Sequence, residues 1–139
     1  MSSKPDWLIE REVTINNHTI TYSYDQEGDV LEIIFQKGGG LGIDLTENIV
    51  LRYNRDRQEP LSLIFTGYSR LTQSTPFGPP SFHLAALNQL PPEMKQTVWQ
   101  ILNNFPVNHF LKVSGLRLSP SGELQPITYL AQLAELLPQ

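Results

Sequence analysis

The chain has 139 residues, 40% hydrophobic and 17% charged, and a formal net charge of −4, which together predict one folded domain with a hydrophobic core. The acidic balance and the lack of a stripe of Lys and Arg argue against binding to nucleic acid. The sequence contains no cysteine, which excludes disulfides, thiolate zinc sites and cysteine nucleophiles.

The N-terminal residues from Met1 to Trp7 lack the basic stretch and apolar run of a signal peptide. No stretch of the sequence approaches the ~20 consecutive apolar residues of a membrane span. The absence of cysteine is compatible with a reducing compartment. We therefore expect a cytoplasmic protein without a membrane partner.

Residues 13–65 alternate apolar and polar side chains at a period of two, which is typical of β-strands. Turn-forming residues interrupt this alternation at 16–17, 25–29, 38–40 and 54–60. The pattern predicts an antiparallel meander of five or six strands over residues 1–71. Because strand-like sequence follows the three glycines at 38–40, we interpret them as a flexible hairpin connection rather than a phosphate-binding loop.

The period changes after a proline-rich connection at residues 72–81. Apolar residues at helical spacing from Met94 to Phe105 predict a helix that begins near Pro91-Pro92, and Ser81 is in position to cap a shorter helix through Leu84 and Leu87. Residues 109–118 alternate again and predict one extra strand, followed by a turn at residues 119–122. The C-terminal stripe predicts a further helix and consists of Ile127, Leu130, Leu133, Ala134 and Leu137.

Together these elements predict a single domain of the α+β class, with an antiparallel β-meander of five to seven strands and two or three helices packed on one face. The helices come from residues 82–139, and we expect them to cover the apolar face of the sheet, which cannot stay in contact with water. Trp7 and Trp99 are expected to pack in the core. An apolar face left exposed would indicate a partner.

Two segments, from Tyr24 to Phe35 and from Glu47 to Asn54, contain a tyrosine-aspartate opening, an acidic turn, an apolar strand and a second strand that ends in a polar turn. In this order they resemble the bacterial family named domain of unknown function 2283 (DUF2283), and the resemblance covers about residues 22–71. It implies a compact β-meander module of small bacterial proteins, some encoded near toxin-like partners, and it implies no known reaction. Gly28 stands where the family usually has a small residue such as alanine, and the residues from Thr75 onward have no counterpart in the family.

The acidic turn is the first candidate site, because Asp25, Glu27 and Asp29 place three carboxylates at alternate positions. This spacing suits a hard cation, but neither a further ligand-rich stretch nor a closing glutamate follows. The same carboxylates lack a predictable pocket for work as a general acid and base. A solvated turn that begins a strand is the simpler interpretation, so we assign no metal and no cofactor.

The remaining candidate side chains are basic or aromatic. The histidines at 18, 83 and 109 lack the spacing of a shared metal site. Arginines gather near two predicted strand ends with tyrosines close by, which suits a solvated loop or contact with an acidic protein or a nucleotide. The candidate interaction or pocket residues are Tyr24, Asp25, Asp29, Arg52, Tyr53, Tyr68, Arg70, His83 and His109.

The absence of catalytic spacing beside abundant apolar periodicity favours a non-enzymatic protein-interaction module. We expect it to form a homodimer through a sheet face, a sheet edge or the C-terminal helix. One alternative is a small ligand-binding protein or enzyme whose pocket lies between sheet and helices, with polar groups from Tyr22, Tyr24, Tyr53, His83 or His109. A second alternative, an antitoxin-like or regulatory protein, is suggested only by the family resemblance.

Overall fold

The structure, a computed structural model of the chain, describes residues 7–71, 82–84, 87, 89–116 and 125–130. Of residues 82–83, 113–116 and 125–130 it describes the backbone only. The first half of the chain forms a six-stranded antiparallel sheet, and helices pack on one face of it, so the predicted α+β class is confirmed. The strands of this sheet are β1 (Leu8–Ile15), β2 (His18–Asp25), β3 (Val30–Ile34), β4 (Leu41–Thr46), β5 (Ile49–Asn54) and β6 (Glu59–Thr66).

The strand order of this sheet is β1-β2-β3-β6-β5-β4. Strands β1 to β3 form one three-stranded meander, and strands β4 to β6 form another. The second meander pairs with β3 through β6, its last strand, and not through β4. The pairing of β3 with β6 aligns Leu31 with Phe65 and Ile33 with Leu63. As a result β3 and β6 lie at the centre of the sheet, and β1 and β4 form its two edges.

The glycine segment between β3 and β4 is a crossover, and its prediction as a hairpin connection was wrong. β3 and β4 are separated in the sheet by β6 and β5, so residues 35–40 must pass both strands. The crossing is close: a Cβ built on Gly40 would lie 2.7 Å from Leu61 Cδ1 and closer still to the carbonyl oxygen of Tyr53. Alternation of residue types predicts strands but carries no information about which strands pair, and that is why the error arose.

The turn between β1 and β2 forms as the sequence predicts. Asn16 and Asn17 have φ values of 50° and 65°, and they join a ladder in which Ile15 opposes His18. Two central residues with positive φ define the turn that matches the twist of paired strands, and asparagine tolerates this conformation.

The core lies on one face of the sheet, because alternate residues of each strand point to the same side. On the β3, β5 and β6 strands the apolar residues of this face are fully buried. Two short helices and one long one follow: α1 (Tyr68–Leu71), α2 (Pro92–Leu102) and α3 (Val107–Phe110). The buried residues of the helical segments that close this core are Tyr68, Leu71, Val98, Ile101, Leu102, Val107 and Phe110.

Helix α2 begins at the predicted proline pair and ends at Leu102, before Phe105, the last residue of the predicted helical spacing. The side-chain amides of Asn103 and Asn104 donate hydrogen bonds to the carbonyl oxygens of Trp99 and Gln100. Side chains that bond to backbone carbonyls in this way compete with continuation of the helix. Trp99 lies on the outward side of α2 with 42% of its surface exposed, and Trp7 is 39% exposed, so the prediction that both pack in the core was wrong.

The later part of the chain contains more strand than predicted. β7 (Phe82–His83), β8 (Leu111–Leu116) and β9 (Gln125–Leu130) form a second antiparallel sheet in the order β7-β9-β8. β8 confirms most of the strand predicted at residues 109–118, although His109 lies in α3.

Two helix predictions in this part were wrong. Phe82 and His83 form a strand where Ser81 was expected to begin a short helix. Ile127 and Leu130 lie in β9, whereas their spacing predicted a helix. β9 contains β-branched and aromatic residues that suit a pleated strand, and β8 offers it a partner. Residues 72–81, the turn at 119–122 and the rest of the C-terminal stripe lie outside the described residues.

We predict that Gly40→Ala destabilises the protein and that Gly39→Ala does not. A methyl group at Gly40 would overlap the backbone of β5, whereas a Cβ at Gly39 meets no atom within 4 Å. Overpacking of this kind costs about 1–3 kcal/mol of unfolding free energy. Urea denaturation of both variants measures the difference. Equal stability of the two variants would contradict the close crossing of the glycine segment.

Candidate functional site

The fold brings four of the predicted candidate residues to one end of the sheet, together with Ser69, which the sequence did not indicate. The five residues, here called the Asp29 cluster, are Tyr24, Asp29, Tyr68, Ser69 and Arg70. Asp29 precedes β3 with a φ of 55°. Its carboxylate accepts hydrogen bonds from the Tyr24 hydroxyl at 2.6 Å, the Ser69 hydroxyl at 2.6 Å and the Ser69 amide at 3.1 Å. Its backbone carbonyl accepts from the Tyr68 amide at 3.0 Å. Asp29 therefore links β2 and β3 to α1.

The aromatic rings of the Asp29 cluster pack edge to face. The ring centroids of Tyr24 and Tyr68 are 5.8 Å apart with an interplanar angle of 65°, and Tyr68 also contacts Phe65 of the core at 6.3 Å. Such pairs add to the stability that burial alone provides. The cluster is thus continuous with the hydrophobic core on one side and with solvent at Ser69 and Arg70 on the other.

The pKa values of Asp29, Tyr24 and Tyr68 in the Asp29 cluster are all shifted away from neutral pH. Desolvation by burial acts to raise the pKa of Asp29, but the hydrogen bonds from Ser69 and Tyr24 and the charge of Arg70 together hold that pKa below its ordinary value. The hydrogen bond to Asp29, with burial, raises the pKa of Tyr24 to about 12, and burial raises the pKa of Tyr68 to about 12. A general base works best with a pKa near the working pH, so these groups suit a stabilising contact better than proton transfer.

Asp25 belongs to the neighbouring turn and not to the Asp29 cluster. Its carboxylate accepts a hydrogen bond from the Gly28 amide at 2.9 Å, which closes the turn between β2 and β3. This is the Asx-type use of aspartate that turns favour. Among the described residues there is no group of three or more His, Asp or Glu side chains placed to hold a metal ion.

The predicted group of arginines and tyrosines is divided by the sheet. Arg52 and Tyr53 are successive residues of β5, so their side chains lie on opposite faces. Tyr53 is buried in the core. Arg52 lies on the opposite face, where its guanidinium is 3.8 Å from the Glu32 carboxylate and donates to the Gly38 carbonyl at 3.1 Å. Tyr68 and Arg70 remain together in the Asp29 cluster.

The histidines are also placed differently from the predicted pocket. His109 is exposed and its ring packs against Phe110 at 5.0 Å and Phe105 at 6.3 Å. His18 contacts the same Phe105 ring at 5.2 Å. His83 lies in β7, where only the backbone is described. No pattern in the sequence predicts that His18 and His109 share a contact with Phe105, because His18 begins β2 whereas Phe105 and His109 lie in a much later part of the chain.

A cleft of about 270 Å³ does lie between the sheet and a helix, but other residues line it. One wall consists of the last turn residue before β6 and the first residues of that strand. The other wall consists of α2 and of Asn104 and Phe105, which lie shortly after it. The lining residues are Gln58, Glu59, Pro60, Thr97, Gln100, Ile101, Asn104 and Phe105. Tyr22, which was predicted for such a pocket, is instead buried against Phe110, and its hydroxyl has no hydrogen-bond partner among the described residues.

The edge strand β4 is the other exposed feature of the sheet. It pairs with β5 alone among the described strands, and its ladder is regular from Leu41 to Asp44, with a bulge between Asp44 and Thr46. Leu41 is 39% exposed. A sheet edge was among the interfaces expected from sequence, but the strand order, which identifies β4 as an edge, could not be predicted from the alternation of residue types.

Comparison with known proteins adds no relative to this description. No family model, no curated protein and no solved structure matches the chain. The resemblance to the DUF2283 family at residues 22–71 therefore stays an expectation from sequence. Within the described part of the chain, no helix is both long enough and apolar enough to cross a membrane.

We predict that Tyr24→Phe destabilises the protein by about 1 kcal/mol, because it removes a hydrogen bond to the Asp29 carboxylate. Tyr22→Phe is the matched control: it also removes one phenolic hydroxyl, but that hydroxyl has no partner among the described residues, so we expect no loss. Urea denaturation at pH 7 compares the two variants. A loss as large in Tyr22→Phe as in Tyr24→Phe would contradict the assignment of the hydrogen bond.

We predict that the stability provided by the Ser69 hydroxyl decreases in acid. The pKa of Asp29 in the folded protein is below its ordinary value, so the ionised form is favoured by folding. The contribution is complete above the unfolded pKa of about 3.9 and is lost as the pH falls through the lower folded value. The stability difference between wild type and Ser69→Ala, measured by urea denaturation from pH 7 to pH 3, should therefore shrink below about pH 4. A difference that does not change with pH would refute this role of the Asp29 carboxylate.

Proposed function

We propose that the protein is a non-enzymatic protein-interaction module that self-associates through β4, by antiparallel pairing with the same strand of a second copy. The observation that supports this proposal is the unpaired outer side of β4 among the described strands. An edge strand presents a row of free backbone N–H and C=O groups, which can be satisfied by another strand.

The two edges of the six-stranded sheet differ in how they are protected. β1 has three consecutive charged residues, Glu10, Arg11 and Glu12, and all three are exposed. Charged side chains on an edge oppose pairing with another chain. β4 has Asp44 as its single charged residue, and its other exposed residues are Leu41 and Gly42. This contrast favours β4 over β1 as the contact edge.

The sequence of β4 fits a second copy of itself. A two-fold axis through Ile43 would place Ile43 opposite Ile43, Gly42 opposite Asp44 and Leu41 opposite Leu45. The two Asp44 carboxylates then do not face each other, so pairing avoids like-charge repulsion. The bulge after Asp44 limits the regular ladder to a few residues. A short ladder of this kind supports a dimer that dissociates on dilution.

The Asp29 cluster supports a non-enzymatic role. Its pKa shifts favour an ionised Asp29 carboxylate and a protonated Tyr24 hydroxyl, the states in which the hydroxyl donates to the carboxylate. The pKa shifts of Asp29 and Tyr24 both move away from neutrality. The cluster connects α1 to the centre of the sheet. A rigid sheet of this kind is a suitable base for recognition through an edge.

We predict that the wild-type protein shows a mass that rises from monomer to dimer with concentration, and that Leu41→Lys remains monomeric. In the proposed register residue 41 lies against the strand of the second copy, close to its bulge, where the ammonium group of a lysine would lose water without gaining a partner. Trp99→Lys is the matched control, because it replaces another exposed apolar residue by the same side chain on α2. Size-exclusion chromatography with light scattering provides the measurement.

A strict monomer over micromolar to millimolar concentrations would reject self-association. A dimer lost in Trp99→Lys but kept in Leu41→Lys would place the interface on α2 and contradict the role of β4. Unfolding temperatures of both variants should match that of the wild-type monomer, since both replaced side chains are among the exposed residues.

A further inference from the structure

The cleft between the start of β6 and α2 is lined by several polar side chains, and one of them is a carboxylate. Thr97 donates its hydroxyl proton to the Glu93 carbonyl, and the Asn104 amide donates to the Gln100 carbonyl. The Thr97 hydroxyl is thereby left with acceptor capacity only, whereas the Asn104 amide keeps its carbonyl oxygen as an acceptor and one further N–H. The single carboxylate of the described lining, that of Glu59, has only acceptors when ionised.

Glu59 is held in place by a side chain that follows β3. The Gln36 amide nitrogen lies 3.0 Å from a Glu59 carboxylate oxygen and 3.1 Å from the Pro60 carbonyl, and it donates to both. One carboxylate oxygen, Oε2, thus has a fixed partner within the protein. Among the described residues, no hydrogen bond to the other oxygen, Oε1, is found. Held in this way, the negative charge stays beside the cleft.

No positively charged side chain stands among the described residues that line the cleft. Gln58 and Gln100 contribute amide groups that can accept or donate by rotation. Pro60, Ile101 and Phe105 provide apolar surface beside these acceptors. A carboxylate and several oxygen acceptors next to an apolar wall match a ligand that combines a cationic donor with a short hydrocarbon chain.

We propose that this cleft binds a small organic ammonium ion, with the ammonium group at Glu59 and the carbon chain along Pro60, Ile101 and Phe105. The cleft volume of about 270 Å³ is just below the lower end of the range of small-molecule sites, about 300 Å³, and so suits a short amine. A bare divalent ion fits less well, because it requires several carboxylate or carbonyl oxygens around one point and the described lining provides a single carboxylate. The net charge of −4 also favours the approach of cations.

The test is an NMR titration of the full chain with 1,4-diaminobutane in an amine-free buffer, with the neutral 1,4-butanediol as the matched ligand. We expect the diamine to shift the side-chain amide signals of Gln58, Gln100 and Asn104 in a saturable manner, and we expect the diol to bind at least about tenfold more weakly. Added salt should weaken the binding of the diamine, because the contact with Glu59 is exposed.

Glu59→Gln tests the charge, since glutamine can still accept the hydrogen bond from Gln36 and keeps the shape of the cleft. We expect this variant to bind the diamine about tenfold more weakly. Glu47→Gln is the control, because it removes an exposed carboxylate in the turn between β4 and β5. Equal affinity for the diol and the diamine, an equal loss in both variants, or shifts confined to residues outside the cleft would each overturn the proposal.

Discussion

The pairing of β3 with β6 is the constraint on which the rest of the structure depends. It joins two meanders into one sheet and buries Leu31, Ile33, Leu63 and Phe65 at its centre. A simple meander would have paired β3 with β4 and left β6 at the edge. Because β6 takes the central position, β4 becomes the edge strand, and the chain must cross the end of the sheet through the glycine segment at 38–40. The edge position of β4 among the described strands and the close approach at Gly40 are both consequences of this one pairing.

The same pairing assembles the Asp29 cluster. β3 begins just after Asp29, and β6 ends just before Gly67, which has a φ of 65° and turns the chain into α1. Because β3 and β6 are antiparallel neighbours, the start of one lies beside the end of the other. Ser69 therefore meets the Asp29 carboxylate although forty residues separate them. The hydrogen bonds at this end hold α1 against the sheet, and Tyr68 extends the core over Phe65.

The sequence predicted local structure better than it predicted pairing. Period-two alternation identified the strands of the first half, and Asn16-Asn17 identified a tight turn, because both signals depend on neighbouring residues. Tyr24 and Asp29 were named as candidates from their position near an acidic turn, and the structure joins them. Ser69 was missed, since a serine after a strand has no distinctive pattern. The helix predicted at Ile127 and Leu130 failed for a related reason: a spacing of three residues fits a helix but does not exclude a strand whose partner lies earlier in the chain. Arg52 and Tyr53 could have been separated in advance, because adjacent strand residues face opposite sides.

Both ends of the β3·β6 pair carry polar contacts, and they differ in what they leave free. At the end near α1, the Asp29 carboxylate receives donors from Tyr24 and Ser69, so its hydrogen-bonding capacity is largely used within the protein. At the opposite end, Gln36 follows β3 and holds Glu59 at the start of β6 with a single side-chain donor. A carboxylate with several internal donors stabilises a fold, whereas one with a single donor beside an open cleft retains capacity for a ligand. The central strand pair thus places a structural carboxylate at one end and a carboxylate available for binding at the other, and this difference in hydrogen-bond satisfaction is the physical reason to look for a ligand at Glu59 and not at Asp29.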